Sequence, residues 1–192
     1  MKRKKPRIFL LAIAFGMAAA HATAQHLALK NNLLYDASLT PNVSAEVLLS
    51  RKWTLDTTFG LNPWTFSDNR KWRHWMLQPE LRRWMCQSFN GSFWGFHALG
   101  GEFNAGHVDF PLGIAPCLHN NRYEGWFLGG GVIYGHQWPI TRHFSLEAAF
   151  GLGYAHLWHR KYPCTHCGTE TGRGHYNYLG PTKAAINIIY NL

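Results

Sequence analysis

The sequence predicts an all-β fold, an eight-stranded antiparallel up-and-down transmembrane β-barrel behind a cleaved signal peptide, and three observations carry that prediction. The first 24 residues read as an export signal. The rest alternates apolar residues with small or polar ones in eight segments, and short connections between segments alternate with long ones. Composition narrows the field further. Charged residues make up 15% of the 192-residue chain, against roughly 25% in an average soluble domain, and 9 Trp, 8 Tyr and 12 Phe are present. A disordered tail would be poor in aromatics and rich in charge. The 19 Gly and 9 Pro scattered along the chain oppose long helices and coiled coils.

The amino-terminal segment divides into three parts. Lys2, Arg3, Lys4, Lys5 and Arg7 form a basic start, Ile8 to Ala20 is apolar, and Ala22-Thr23-Ala24 is a small-residue cleavage site. The apolar run is too short to cross roughly 30 Å of hydrocarbon as a helix, so cleavage before Gln25 is expected. No cysteine stands near that site, so a lipoprotein is not expected. The chain therefore divides into a signal peptide, 1–24, and one β-barrel domain, 25–192. Removal of the signal takes five basic residues with it, so a net charge of +9 becomes +4. That balance does not supply the clustered basic face of a nucleic-acid binder, and no nucleic-acid partner is expected.

Period-two alternation marks each strand in turn. His26 to Ala37 places Lys30, Asn32 and Asp36 on one face. Val43, Ala45, Val47 and Leu49 alternate with Ser44, Glu46 and Ser50, and Trp53, Leu55, Thr57, Phe59 and Leu61 alternate with Thr54, Asp56, Thr58 and Gly60. Gln78, Glu80 and Arg82 share a face between Trp75 and Trp84. Phe93 to Phe103 is the least clear, because its glycines blur the apolar side. Between Tyr123 and Trp138, Trp126, Leu128, Val132 and Tyr134 oppose Gly129, Gly131 and Gly135. The segment Arg142 to Tyr162 sets Phe144, Leu146, Ala148, Phe150, Leu152 and Tyr154 against Ser145, Glu147, Gly151 and Gly153. The last sets Tyr178, Thr182, Ala184, Ile186, Ile188, Tyr190 and Leu192 against Lys183, Asn187 and Asn191. The final Ile188-Ile189-Tyr190-Asn191-Leu192 is apolar at the right parity, though it does not close on the aromatic residue usual for barrel assembly.

The connections Ser50 to Lys52, Gln87 to Ser92 and Pro139 to His143 are short. The segments Asn62 to Lys71, Asn104 to Arg122 and Arg160 to Gly174 are longer, so turns and loops fall at opposite ends of the meander, as in an outer-membrane barrel. Which face meets lipid follows from the other face. Glycines there would make poor solvent-facing strand residues but suit a crowded interior, and the charges Lys30, Glu46, Asp56, Glu80, Arg82, Glu147 and Lys183 carry both signs. Pointing inward, they can form an interior charge network; unpaired, they would be costly. Trp53, Trp75, Trp84, Trp126, Trp138 and Trp158 lie near strand ends, where interfacial girdles sit.

Several stretches resemble a known bacterial family. Leu27-Ala-Leu-Lys-Asn-Asn-Leu-Leu-Tyr-Asp36, Glu124-Gly-Trp-Phe127, Gly135-His-Gln-Trp-Pro-Ile140, Ser145-Leu-Glu147, Gly151-Leu-Gly-Tyr154 and Gly180-Pro-Thr-Lys183 are similar to the domain-of-unknown-function family numbered 3575, found mainly in Bacteroidota. The resemblance spans nearly all of 25–192. It implies an outer-membrane β-barrel, sometimes encoded near fimbrial or adhesin proteins, with no established reaction, and it transfers no catalytic residue.

One loop constellation invites chemistry. His156-x-x-His159 precedes Cys164-Thr-His166-Cys167, with His175 nearby, and sulfur with imidazole is what tetrahedral zinc or copper needs. An exported loop is also an oxidising setting, in which Cys164 and Cys167 can form a small-ring disulfide. A redox role lacks the strand–helix context of a thioredoxin motif. His156 and His159 have opposite parity and diverge if the strand reaches them. Cys117, with His119 beside it, can approach the same pair, whereas Cys86 sits at the other end of the barrel. His107-Val108-Asp109 imitates part of a lipid-modifying enzyme's site, but no ordered triad accompanies it, and no enzyme activity is expected. His97 and His136 read as ordinary strand residues, and Gly129-Gly130-Gly131 sits in a strand, where glycines mark close packing.

The expectation is therefore a small barrel of the outer membrane with both termini periplasmic. Eight strands leave an interior that side chains fill, so it is not a general diffusion porin. It needs no cofactor. Its partners are outer-membrane lipid, the barrel-assembly machinery, and surface or fimbrial proteins presented with Asn104 to Arg122 and Arg160 to Gly174. The alternatives are a soluble periplasmic barrel holding a small apolar ligand and, third, a lipid-modifying enzyme.

Overall fold

A computed structural model describes residues 27–65, 71–106, 122–162 and 170–192. Eight strands run through them: β1 (Leu27–Asn32), β2 (Asn42–Ser50), β3 (Trp53–Asn62), β4 (Lys71–Trp84), β5 (Gly91–Gly106), β6 (Arg122–Pro139), β7 (Phe144–Tyr162) and β8 (Gly172–Asn191), with one short helix, α1 (Leu33–Ala37), after β1. Each strand pairs antiparallel with its sequence neighbour. β8 also pairs with β1, Ala28 opposite Asn191 and Asn32 opposite Asn187, so the sheet closes on itself as a barrel. None of the described helices is long and apolar enough to cross a membrane.

The strands are unequal. β1 has 6 residues and β8 has 20, so one wall of the barrel, β5 to β8, rises well past the other. Three connections, 51–52, 85–90 and 140–143, lie at one end; 33–41, 63–70, 107–121 and 163–171 lie at the other. The ends are called here the turn end and the loop end.

Trp84, expected in the interfacial girdle, is completely buried inside the barrel, because it shares the inward parity of Glu80 and Arg82 on β4. Three further expectations need correction. The first strand does not reach Ala37. It stops at Asn32, whose side chain accepts a hydrogen bond from the Leu34 amide (3.1 Å) and caps α1, so Asp36 leaves the strand face and is exposed. The segment Arg160 to Gly174 is strand at both ends: pairing continues through Trp158 opposite His175 to Lys161 opposite Gly172, and the connection shrinks to 163–171. Likewise β4 starts at Lys71 and β5 runs to Gly106. Finally, Tyr178 and Thr182 do not share the outward face of Ala184 and Ile186. A bulge opposite Gly151 and Leu152 adds a residue to β8, which reverses parity on either side of it.

Alternation decides what the barrel shows to each side. Leu29, Val47, Phe59, Leu77, Phe96, Leu128, Val132, Phe150, Leu152 and Ile188 are exposed on the outer wall. Buried hydrophobic residues are few and mostly small: Ala28, Ala105, Ala149, Ala155 and Ala185, with Trp84, Phe93, Ile133 and Ile189. Buried polar residues dominate the interior, including Lys30, Glu46, Asp56, Glu80, Arg82, Glu147 and Lys183.

Candidate functional site

The lumen is built in layers, which the strand register reads out directly. At the turn end an apolar floor is formed by Trp84 and Phe93, 4.8 Å between ring centroids, with Ile133, Ala149 and Ala185. The Phe93 ring needs space on the neighbouring strand, and Gly135 supplies it: a Cβ there would lie 2.4 Å from Phe93 Cζ.

Above the floor stands the charge network. Arg82 of β4 is its centre, 4.5 Å above the Phe93 ring centroid. Its guanidinium donates to Glu147 (2.8 Å), Asp56 (3.0 Å), Glu46 (3.1 Å) and the neighbouring Glu80. Lys30 bridges Glu147 (2.8 Å) and Glu46, and Lys183 reaches Glu80 at 2.7 Å. Neutral groups occupy the carboxylate positions that the cations leave. Asn187 donates to Glu147 Oε1 (2.8 Å), Ser44 to Asp56, and Thr54 to Glu46, while the Trp84 indole donates to Thr54 Oγ1 (2.9 Å). All seven charged side chains are within 2% of complete burial. Such groups are tolerable without water only when every charge has partners, and these do.

Why the long chains fit is a matter of the opposite wall. Arg82 pairs across β5 with Gly95, and Glu80 pairs with His97, from which the row continues through Gly131 and Gly153. The alternation Gly129, Gly131, Gly153 on the inward face therefore leaves width into which the β1–β4 charges extend. Gly131 and Gly153 are also locked together: a Cβ on Gly131 would lie 2.1 Å from the Leu152 carbonyl oxygen.

Toward the loop end, pairing is less complete. The Gln78 amide is buried without a partner among the described residues, as is Nδ1 of His97, whose Nε2 meets Thr182 Oγ1 at 2.8 Å; the Gln137 amide is likewise unpartnered but lies at the turn end, opposite Gly91. Higher still, Asn62, His74, Phe103, Gly125, His159 and Gly174 form one continuous inward row across β3 to β8, and they line a cavity of about 620 Å³. α1 also contributes at the loop end. Its Tyr35 comes within electrostatic reach of Lys183 and Glu80, and Thr40, after α1, meets His74 Nε2 at 3.4 Å. Sequence reasoning missed this contribution of α1, since Leu33 and Leu34 continue an apolar pattern; Asn32 in a capping position was the available signal.

On the outer wall, aromatics gather at two levels. At the loop end Trp75, Trp126 and Trp158 lie in one row, with Trp126 stacked on Trp158 at 3.9 Å. At the turn end are Trp94, Tyr134, Trp138, Phe144 and Tyr190. Along β6 the separation from Trp126 is about 20 Å to Tyr134 and about 30 Å to Trp138, projected on the barrel axis at roughly 3.3 Å per residue and a tilt of roughly 40°.

The structure separates the proposed metal ligands that it describes. His159 faces the vestibule, whereas His156 faces outward, its Nδ1 2.6 Å from Asn177 Oδ1 and its ring 5.5 Å from that of His175. Cys117, His119, Cys164, His166 and Cys167 lie outside the described residues, as do His107 and Asp109. Among the described residues no group of three or more His, Cys, Asp or Glu is arranged to hold a metal. Cys86 is exposed in the β4–β5 turn, and His136 is an outer-wall residue whose Nδ1 meets Ser92 Oγ at 2.8 Å.

No curated protein and no solved structure matches the chain. One family model does, a protein of unknown function (DUF3575), and its match covers residues 8–192. A match over nearly the whole length places this chain in the DUF3575 family.

Proposed function

We propose that this protein is a small β-barrel of the bacterial outer membrane, exported by a signal peptide over 1–24, that anchors or helps to assemble other proteins at the cell surface. The observation that carries the reading is the inversion of the barrel: large apolar side chains ring the outside while seven charged side chains are buried within. In water such an exterior would be a continuous aggregation surface, whereas in a bilayer it is the lowest-energy arrangement. The two aromatic levels fit the interfacial girdles of a roughly 25 Å apolar band.

A soluble barrel binding a small apolar ligand would need its apolar face inward, and the lumen here is polar or glycine-lined. The filled lower lumen argues against a diffusion pore, because Arg82 and its partners cross the channel. A role in anchoring or assembly then falls to the loop end, with surface or fimbrial proteins as partners, lipid around the wall, and the barrel-assembly machinery as the inserting factor. Bacteroidota are the expected hosts.

Fractionation of the expressed protein, followed by gel mobility with and without boiling, tests the reading. Recovery in the outer membrane with a heat-shifted band is expected. A soluble periplasmic protein with no shift would overturn it.

A further inference from the structure

We infer that the loop end of the outer wall carries a recognition row for the phosphate groups of anionic lipid headgroups. The inference rests on the membrane reading above and adds a ligand to it. Arg73 of β4, Asn104 of β5, Glu124 of β6, Arg160 of β7 and Arg173 of β8 are consecutive partners across the sheet, so all five side chains leave the wall in one outward row. This row lies two residues beyond Trp75, Trp126 and Trp158 toward the loop end. The headgroup layer begins where an aromatic girdle ends. Arg73 and Arg160 therefore stand on the headgroup side of the tryptophan of their own strand, Trp75 and Trp158, and Arg173 is the cross-strand partner of Arg160.

Their state suits that partner. Arg73, Arg160 and Arg173 are exposed, and neither Arg73 nor Arg160 forms an ion pair with a described residue. Arg173 pairs with the exposed Glu170, which is also within electrostatic reach of Arg160, and Glu124 is held by Arg122 at 2.9 Å. Counting Arg122 together with Glu124, Glu170 and Glu102, which stands one outward position from Asn104 and accepts from the Trp75 indole at 3.1 Å, the patch keeps a net charge of +1. Guanidinium recognises phosphate bidentately, and an arginine anchored on a strand loses less freedom on binding than one on a loop. At the other end Arg51, Lys52 and Arg142 lie in turns, and Arg83 stands on β4 with its guanidinium 5.7 Å from the Trp53 ring centroid, so no row of arginines forms there.

Native mass spectrometry of the folded, detergent-solubilised full chain, mixed with a bis-phosphorylated diglucosamine lipid or its dephosphorylated form, tests this. The phosphorylated lipid is expected to remain bound and the dephosphorylated one to be lost. The combined substitution R73Q/R160Q/R173Q lowers retention at least roughly tenfold, while the control R51Q/R142Q, which removes charge at the turn end, leaves it unchanged. Equal retention of the two lipids, or equal loss in both variants, overturns the inference. The heat-shifted gel band of each variant reports folding separately, and its absence in the unsubstituted chain would overturn the membrane reading instead.

Discussion

The lower and upper halves of the lumen are built from the same strands by opposite means. Below, between the Trp84–Phe93 floor and Lys183, each charged group has a partner of the other sign, and hydroxyls and an amide complete the carboxylates, the unpartnered polar group of this half being the neutral Gln137 amide at the turn end. Above, Gln78 and His97 keep buried polar atoms without protein partners, and the wall opens into a cavity of about 620 Å³. The difference teaches where stability and where interaction reside. A completed network is rigid because removing any member strands the others, whereas an under-paired vestibule loses little when altered.

The largest expected effect lies at the centre of the network. Arg82→Met leaves Glu46, Asp56, Glu80 and Glu147 with only two lysines, and a loss of about 3–5 kcal/mol is expected in urea unfolding followed by gel mobility. A loss under about 1 kcal/mol would mean that the network does not hold the lower half together. Next comes the packing that makes room for it. Gly131→Val brings a branched side chain against the Leu152 carbonyl and should cost about 1–3 kcal/mol, while Gly172→Ala, with open space around it, should cost almost nothing. Equal effects of the two would remove the argument that inward glycines set the lumen's width.

The smallest effect is expected above. Gln78→Met removes two unpaired polar atoms at nearly constant volume, so stability should stay within about 0.5 kcal/mol or rise. A loss above about 1.5 kcal/mol would show that Gln78 is paired in the folded protein and that the two halves are alike.

Much of this contrast is legible in the sequence. Alternation placed Glu46, Asp56, Arg82 and Glu147 on one face, because a period of two needs no tertiary information. What it could not convey was that one guanidinium reaches three carboxylates from three other strands besides Glu80 of its own, since that depends on barrel shear and on the glycines of the facing wall. Register slips were equally hidden. The bulge in β8 turned Tyr178 and Thr182 away from the predicted face, and its cue is only the Gly180-Pro181 pair beside it. Helix α1 escaped notice because Leu33-Leu34 mimic a strand, and the long β7–β8 ladder because glycine and histidine are weak strand formers on their own. The candidate metal ligands show the limit of spacing as evidence: His156 and His159 are neighbours in sequence and stand on opposite sides of the wall.

The central claim is that lipid, not water, surrounds the wall. Nitroxide labels at Leu128→Cys, Leu152→Cys and Ile188→Cys, in a background with Cys86, Cys117, Cys164 and Cys167 changed to Ala, test it in vesicles by paramagnetic relaxation. The account predicts collision with dissolved oxygen and protection from a water-soluble nickel chelate at all three positions. Free access of the chelate to these outward positions would contradict it.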